Sequence, residues 1–370
     1  MKILHICNDF TGSKVHAELY RRLDMLGIKQ TVYTYYDGSV RGGKNGFDAL
    51  HTDFVYDDIL SRRWRKLYPF KELYVAWHLR KKINPRNYDC ICATTMMSDG
   101  GVAYLLSKIY HIPYVVAVRA TDIYTFLEKK LSWPFARTIL LDTKRIIIVA
   151  KSHQVVLSEH PATKKIWECI LDKILIQPNG IDEFWHQNIS RKSLKNNHSL
   201  CYVGNFNIRK NVSRLIDAVV LLKERYPDIQ LNLIGERGTQ FDEVMEKVCK
   251  YEFVHYLGSI YDKVKLKEVF LQNSVFAMPS IHETFGLVYL EALSQNLRLL
   301  YTKGQGIDGL FEKVGIAVDP LSVNNIANGI EYIFNHFDEL GNSEVEFSDF
   351  DWDTIANRYV ELYKKVIGKV

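Results

Sequence analysis

Two glutamates in the segment 279–296 are the first residues of this sequence whose types and spacing suggest chemistry. Glu283 and Glu291 lie on either side of Gly286, in a segment that follows the apolar run 275–278 and takes on a helical pattern. Eight residues on one helix correspond to about 12 Å of rise and about 80° of rotation. A pair of carboxylates that act as acid and base on one bond is roughly 5–9.5 Å apart, so an acid–base pair is not expected here.

A ligand held at both ends is one interpretation of this segment. The start of a helix offers backbone N–H groups and a partial positive charge for phosphate, and Gly286 leaves room for a ligand to approach the backbone. The two glutamates would then hold the two ends of one long ligand, with phosphates between them. The alternative is an ordinary helix in which Glu283 complements the helix dipole and Glu291 is solvated.

Basic residues and a second loop add to the first interpretation. Arg209 and Lys210 lie in the glycine-containing loop 204–211, which follows an apolar strand, and they are candidate phosphate ligands. A charge-assisted hydrogen bond of this kind contributes roughly 1.5–3 kcal/mol. Gly12 lies in the first β-to-α loop of the chain, where doubly wound sheets bind ligands. A lone glycine without the G-x-G-x-x-G spacing fits a plain tight turn equally well.

Alternating apolar runs and helical patterns predict two doubly wound α/β domains. The first is expected to span residues 1–185 together with the final helix, 354–370, and the second to span 196–350 after a polar linker within 186–198. Residues 37–58, which contain four glycines, are predicted to form a loop. Strands are expected at 2–7, 31–35, 89–94, 114–118, 145–150, 173–176, 199–203, 229–234, 253–257, 275–278 and 297–301.

Composition indicates a globular protein without a membrane span. The chain has 370 residues, 47% of them hydrophobic and 25% charged, as is usual for soluble domains. Its N-terminus lacks a signal-peptide pattern, no apolar run approaches 18 residues, and the six scattered cysteines predict free thiols in a reducing compartment. We therefore expect a cytoplasmic protein, peripheral to the inner face of the membrane if it meets one.

Charge is distributed unevenly along the chain. Residues 1–190 carry a net charge of +8 and residues 191–370 one of −3, which suggests two domains with different partners. The segment 61–82 holds eight basic residues and one acid, interleaved with aromatic side chains. An anionic membrane surface suits such a helix. Nucleic acid is a weaker alternative because no recognisable motif accompanies the patch, and a helix with packed aromatics and solvated charges is the third.

Further polar residues lie at strand ends and before the last helix. Arg119 and Asp122 follow the strand 114–118, at an edge where open α/β sheets bind ligands. Asp351 and Asp353 form a D-x-D pattern, but capping of the final helix is the preferred interpretation. No metal site is expected from these residues or from the scattered cysteines.

Three motifs in order carry a family likeness. Residues 283–291 read E-T-F-G-L-V-Y-L-E, residues 178–182 read P-N-G-I-D, and residues 203–211 run from V-G to K-N. With them, nearly the whole chain resembles the family-four retaining nucleotide-sugar glycosyltransferases of the GT-B fold. The resemblance implies two facing Rossmann-like domains, with the final helix crossing back to the first. It implies no metal or other cofactor.

The resemblance also implies roles for individual residues. Lys210 would contact the donor diphosphate together with backbone amides at the start of the helix, Glu291 would bind the ribose, and Glu283 would bind the donor sugar. The catalytic candidates are thus Glu283, Lys210 and Arg209. Gly12 would lie on the acceptor side, and Gly235 and Ile260 would lie near the base. The other candidate substrate-binding residues are Arg119, Asp122, Asn205, Thr284, Phe285, Gly286, Leu287 and Glu291.

Two positions depart from the family pattern. Asn205 stands where the family usually has an arginine, so one phosphate charge is missing unless Arg209 replaces it. Arg119 stands where the family usually has a histidine, which puts in doubt any role carried over to this position, although a cation there could still face the reacting sugar.

The function implied is transfer of a sugar, with retention, from a nucleoside-diphosphate sugar of the UDP or GDP type. The acceptor would be a glycan or a lipid-linked acceptor in the synthesis of cell-envelope polysaccharide or glycolipid, and the leaving phosphate would take the acceptor's proton. Two alternatives stay open: a nucleotide-sugar epimerase or hydrolase, which needs no acceptor, and a non-catalytic binding protein of the same fold.

Overall fold

The computed structural model describes residues 1–38, 43–61, 64, 69–192 and 194–368. The chain divides into two compact units. Unit 1 comprises residues 1–149, 154–180 and 352–370, and unit 2 comprises residues 150–153 and 181–351. One boundary between the units lies between Gly180 and Ile181, whereas the first domain was predicted to end at residue 185 and the second to begin at residue 196. No helix in the described ranges is long and apolar enough to cross a membrane.

Unit 1 is built on a seven-stranded parallel sheet with the strand order β3-β2-β1-β4-β5-β6-β7. Its strands are rich in Ile, Val, Leu and Cys and are largely buried, as expected of parallel strands covered on both faces. The strands are β1 (Lys2–Ile6), β2 (Lys29–Asp37), β3 (Thr52–Leu60), β4 (Cys90–Ala93), β5 (Tyr114–Val118), β6 (Arg145–Ile148) and β7 (Ile174–Ile176).

Helices cover both faces of this first sheet. The helices of unit 1 are α1 (Lys14–Met25), α2 (Phe70–Lys82), α3 (Ser98–Tyr110), α4 (Trp133–Asp142), α5 (Lys151–Glu159, whose first residues belong to unit 2), α6 (Trp167–Ile170) and the final helix, α13 (Trp352–Ile367). One apolar cluster contains residues of α2, α3 and α4, and a second contains residues of α1 and α13. The final helix therefore completes the core of unit 1.

Strand β3 corrects the last part of the loop predicted over residues 37–58, whereas residues 43–51 contain no strand or helix and residues 39–42 lie outside the described residues. Thr52–Leu60 is a nine-residue edge strand, parallel to β2. Three aspartates lower its strand propensity, but the buried Asp57 accepts a hydrogen bond from Tyr33 Oη at 2.6 Å and pairs with Lys82 Nζ at 2.5 Å. These partners come from β2 and α2, which are distant in sequence, so the local pattern could not reveal them.

Unit 2 contains a six-stranded parallel sheet with the order β10-β9-β8-β11-β12-β13. Its strands are β8 (Ser199–Val203), β9 (Gln230–Ile234), β10 (Val254–Tyr256), β11 (Val275–Ala277), β12 (Arg298–Thr302) and β13 (Gly315–Val318). Its helices are α7 (Glu183–Gln187), α8 (Val212–Leu222), α9 (Phe241–Lys250), α10 (Lys263–Gln272), α11 (Leu287–Ser294) and α12 (Val323–Asn335). The order reverses between β8 and β11, and ligands of such sheets bind at the carboxyl ends of the strands at that point.

The predicted polar linker packs on unit 2. Residues up to Gln187 continue α7, which Asp182 caps by accepting the N–H of Phe184 at 3.0 Å. Farther along, the N–H of Ser190 donates to the carbonyl of Ser294 at 2.7 Å. The final helix begins at Trp352, and Asp353 lies in its first turn, 3.4 Å from Arg22 Nε.

Candidate functional site

The start of α11 is shaped by a glycine that no other residue could replace without strain. Gly286 has a φ of 77° and immediately precedes the helix. A Cβ atom on it would lie 2.5 Å from the ring of Tyr289. That ring is buried, and its hydroxyl donates to the carbonyl of Met278 at 2.5 Å. Strand β11 therefore leads into a tight loop that presents the first N–H groups of α11 at the switch point of the sheet.

Glu283 lies in this loop and is almost fully buried, with 7% of its surface exposed. Its Oε1 accepts the N–H of Thr284 at 3.0 Å, and its Oε2 accepts a hydrogen bond from Lys210 Nζ at 2.6 Å. Its own N–H donates to Gln305 Oε1 at 3.2 Å, which ties the loop to the turn after β12. The carboxylate is thus held from several sides, and its charge is balanced by one lysine.

Lys210 and Arg209 belong to the loop after β8, and this loop is joined to the Glu283 loop. Arg209 Nη1 donates to the carbonyl of His282 at 2.8 Å, and the N–H of Ile281 donates to the carbonyl of Arg209 at 2.8 Å. Asn211 follows with a φ of 62° and donates from its side chain to the carbonyls of Pro279, at 3.0 Å, and Pro320, at 2.7 Å. These bonds bring two of the predicted cations to the mouth of β8 and β11, beside Glu283.

Glu291 lies about one turn into α11, in a different electrostatic environment. Burial is the main cause that raises the pKa of Glu291 to about 7, and the charge of Asp182 adds to it. Lys263 and a hydrogen bond with Trp185 act in the opposite direction, but Lys263 also forms an ion pair with Asp182. The pKa of Glu291 therefore lies near neutral pH because Lys263, which favours its ionised form, is shared with Asp182.

The remaining donor-side candidates line the ends of β8, β9 and β10. A Cβ atom on Gly235 would lie 1.8 Å from the carbonyl oxygen of Gly204, so the two loops approach each other with their backbones. Ile260 is partly exposed, and Asn205 is exposed with its carbonyl accepting from Tyr202 Oη at 3.1 Å. Within unit 2, the candidates thus lie along one edge of the sheet. Thr284, Phe285 and Leu287 flank Gly286, and the side chain of Phe285 is buried.

Unit 1 holds the other three candidates at the carboxyl ends of β1 and β5. A Cβ atom on Gly12 would lie 2.3 Å from Asp9 Oδ1, so this glycine makes room for the aspartate. Arg119 Nε donates to the carbonyl of Thr94 at 3.2 Å, and its backbone N–H donates to Asp122 Oδ2 at 2.9 Å. Arg119 is thereby fixed at the ends of β4 and β5.

Asp122 is 1% exposed, and it braces the loop after β4. Its carboxylate accepts the N–H groups of Met96 and Met97, each at 2.9 Å, in addition to that of Arg119. Burial is the main cause that raises the pKa of Asp122, and the three N–H donors oppose it. All the hydrogen bonds of this carboxylate go to backbone groups of its own unit, which indicates a positioning role.

Sequence reasoning missed a second buried carboxylate in unit 1. Asp99, in the first turn of α3, accepts from the N–H of Asn8 at 3.2 Å, from Tyr35 Oη at 3.0 Å and from Thr94 Oγ1 at 2.7 Å. It therefore joins the ends of β1, β2 and β4, and burial raises its pKa to about 6. Its position just after a strand end, before Gly100-Gly101, was the signal available in the sequence.

In the described part of the chain, no group of three or more His, Cys, Asp or Glu side chains is placed to hold a metal ion. Asp353 of the D-x-D pattern is paired with Arg22 in unit 1.

Part of the chain matches a known family model. Residues 185–340 match the family model described as glycosyl transferases group 1. A glycogen synthase of Mycobacterium tuberculosis is 25% identical over 281 residues, which cover 70% of this chain and only 65% of that protein's length. The match of the family model spans the loop 204–211 and the segment 279–296, which carry most of the donor-side candidates.

Solved structures show the fold. The sucrose-phosphate synthase of Thermosynechococcus elongatus superposes with a TM-score of 0.73 at 16% identity and covers 100% of both chains. HepE of Anabaena, solved in complex with UDP, gives a TM-score of 0.70 at 19% identity and covers 99% of this chain and 100% of its own. These neighbours confirm the predicted GT-B fold of two Rossmann-like domains. The match of residues 185–340 to the group 1 model confirms the predicted resemblance to glycosyltransferases.

Proposed function

We propose that this chain, whose residues 185–340 match the group 1 glycosyltransferase model, transfers a sugar from a nucleoside-diphosphate sugar with retention at the anomeric carbon. The observation that carries the proposal is the joining of Lys210, Glu283 and the start of α11 at the switch point of the second sheet. A cation and a helix N-terminus stabilise a diphosphate. The UDP complex of HepE supports a nucleoside diphosphate as the leaving group.

The chemistry then follows from the charges of the site. As the bond between the sugar and the diphosphate breaks, negative charge grows on the diphosphate, and Lys210, Arg209 and the N–H groups from Phe285 to Leu287 stabilise it. Glu283 binds hydroxyls of the donor sugar, beside Thr284, and Glu291 binds the ribose. Gly235 and Ile260 lie beside the base, and Asn205 faces the diphosphate. The departing phosphate takes the proton of the acceptor, which is consistent with retention without a separate protein base.

Acceptor binding is assigned to unit 1. Gly12, Arg119 and Asp122 lie at the carboxyl edge of the first sheet, where such sheets bind ligands. Arg119 supplies a fixed cation there, held by Thr94, and Asp122 sets the backbone around it. The acceptor is a glycan or a lipid-linked acceptor of the cell envelope.

A membrane surface is proposed as the place where a lipid-linked acceptor is met. Three large apolar side chains on α2 are strongly exposed: Phe70 by 65%, Leu73 by 52% and Trp77 by 49%. Their spacing of three and four residues places them on one side of the helix, and Lys81 Nζ lies 3.2 Å from the centroid of the Trp77 ring. Residues 62, 63 and 65–68 of the basic segment lie outside the described residues. An exposed apolar stripe with adjacent basic residues suits an anionic bilayer, with peripheral attachment at its inner face.

Turnover of purified protein tests the catalytic proposal. The protein is incubated with UDP-, GDP- and ADP-sugars and candidate acceptors, and products are analysed by mass spectrometry and NMR. Lys210→Ala and Glu283→Ala should each lower the transfer rate by about 10²–10³-fold. Lys265→Ala and Glu246→Ala, which remove exposed charges elsewhere in unit 2, should leave it unchanged. An inverted product would refute retention, and conversion of the donor alone would favour an epimerase or a hydrolase.

Vesicle co-sedimentation tests the membrane proposal separately. Vesicles that contain anionic phospholipid should retain the wild-type chain, and the double variant Leu73→Ser/Trp77→Ser should lose most of that binding. Leu131→Ser is the matched control, because Leu131 is 92% exposed in the same unit but lies outside α2. Equal retention of all three proteins, or none on anionic vesicles, would refute a role of α2 in membrane binding.

A further inference from the structure

The ion pair between Lys210 and Glu283 joins the two charges that the proposed function assigns to different parts of the donor. Their side chains are 16% and 9% exposed, and Nζ and Oε2 are 2.6 Å apart. The two side chains lie close together because the loop after β8 is hydrogen-bonded to the loop before α11 through Arg209, His282 and Ile281. Little water reaches the pair, so its electrostatic interaction is weakly screened.

A diphosphate must compete with Glu283 for Lys210. The ammonium group can donate three hydrogen bonds, but one is directed to the carboxylate, and the negative charge of Glu283 also offsets the positive charge that would attract phosphate. A nucleoside diphosphate alone offers no group to replace Lys210 as partner of the carboxylate. A nucleotide sugar does, because its sugar hydroxyls can donate to Glu283 while its phosphates accept from Lys210.

We infer that Glu283 is a specificity-determining residue that makes the site prefer a nucleotide sugar to the free nucleoside diphosphate. It does so by holding Lys210 in an ion pair. Only the intact donor offers new partners to both residues, with phosphates for Lys210 and sugar hydroxyls for Glu283. The inference rests on the proposed function and goes beyond it, because it assigns Glu283 a part in releasing the product diphosphate. Once the sugar has left, the carboxylate regains Lys210 and weakens the grip on the diphosphate.

The surroundings of the pair favour this exchange over a fixed structural role. Glu283 keeps partners when Lys210 turns away, because its Oε1 accepts the N–H of Thr284, and Ser280 Oγ lies 3.5 Å from its Oε2. Lys210 contacts Met278 Sδ at 3.7 Å, which is a weak acceptor. Lys210 therefore gains a strong acceptor when a phosphate binds, and Glu283 keeps its hydrogen bond from the N–H of Thr284.

Isothermal titration of four proteins tests the inference: wild type, Glu283→Gln, Lys210→Met and the double variant. The ligands are UDP, GDP and ADP and the matching UDP-glucose, GDP-mannose and ADP-glucose. Glutamine keeps the shape of Glu283 and removes its charge, so Glu283→Gln should bind the nucleoside diphosphate roughly tenfold more tightly than wild type. The preference for the nucleotide sugar should fall by at least as much. Asp242→Asn, at the exposed Arg237–Asp242 pair, is the control and should change neither affinity.

The double variant shows whether Glu283 acts through Lys210. In the Lys210→Met background, Glu283→Gln should change the affinity for the diphosphate by less than about twofold, because the pair no longer exists. An equal tenfold gain in that background would overturn the inference in favour of plain repulsion between Glu283 and phosphate. Unchanged or weaker diphosphate binding by Glu283→Gln, with thermal stability retained, would also overturn it while leaving the proposed function intact. Absence of binding of every nucleotide to the wild type would reject both.

Discussion

Replacement of Gly286 by alanine should damage the start of α11 by two separable effects. The first is backbone strain, because an L-residue in the left-handed region costs about 1–2 kcal/mol, and the φ of Gly286 is 77°. The second is a collision, because the new Cβ would lie 2.5 Å from Tyr289 Cδ2 and 3.3 Å from Glu283 Cγ. Overpacking of this kind costs typically 1–3 kcal/mol. The sum is a loss of about 2–5 kcal/mol in the free energy of unfolding of unit 2.

Tyr289 has little freedom to relieve that collision. Its side chain is 1% exposed, its ring packs edge-on against Phe276, with the centroids 5.5 Å apart, and its hydroxyl donates to Met278. The loop would therefore have to move instead, and with it the first N–H groups of α11 and the carboxylate of Glu283. We expect the affinity for a nucleoside diphosphate to fall by at least about tenfold, since a displacement of this site loses directed hydrogen bonds.

Gly258 provides a matched control for the strain alone. It also has a φ of 77° and lies in unit 2, but no atom that a Cβ would meet lies within 4 Å. Gly258→Ala should cost only about 1–2 kcal/mol and should lower the nucleotide affinity less than Gly286→Ala does. Urea unfolding followed by fluorescence, with nucleotide titrations alongside, measures both variants. If Gly286→Ala were no more destabilising than Gly258→Ala, the collision with Tyr289 would be refuted.

Substitutions at three further positions test two carboxylates and one loop residue. Because the raised pKa of Glu291 makes the folded state bind more protons than the unfolded state between pH 4.5 and about 7, stability should fall as pH rises through that window. Glu291→Gln should remove this slope in pH-dependent unfolding, together with any loss of UDP affinity below pH 7. Asp122→Asn should destabilise unit 1 by about 2 kcal/mol or more in urea unfolding, because an amide cannot accept all three backbone N–H groups. Asn211→Ala should be less stable than Asn211→Gly by about 1 kcal/mol, because both lose the bonds to Pro279 and Pro320 but only glycine tolerates a φ of 62°.

Much of the fold could be predicted because its signals are local. Parallel strands buried on both faces appear as continuous apolar runs. The runs at 114–118 and 199–203 have the same bounds as β5 and β8. Glycines and polar residues after such runs indicate the ligand edge of the sheet. Two sheets and the candidate residues of the second one follow from these signals.

The parts that were missed depend on partners distant in sequence. Strand β3 contains acids that look unfavourable until Tyr33 and Lys82 are placed beside Asp57. The sequence offers only the position of Asp99 after a strand end, and not its partners, because its donors come from Asn8, Tyr35 and Thr94, at three different strand ends. Buried polar groups are stabilised by hydrogen bonds, and sequence patterns do not show which distant group supplies them.

Glu283 and Glu291 differ in a property that their spacing in the sequence cannot reveal, namely which charged groups surround each carboxylate. Glu283 is neutralised by Lys210 at 2.6 Å, so a ligand reaches it by exchanging partners. Glu291 lies near Asp182 and shares Lys263 with it, and the pKa of Glu291 rises to about 7. A ligand that binds Glu291 therefore changes the protonation of this carboxylate. A ribose hydroxyl that donates a hydrogen bond favours the ionised carboxylate and should lower that pKa on binding. Binding of a nucleotide sugar, whose diphosphate has no group that titrates near pH 6.5, should therefore release protons at that pH. The release, measured as a dependence of the binding enthalpy on buffer ionisation, should vanish in Glu291→Gln but persist in Glu283→Gln.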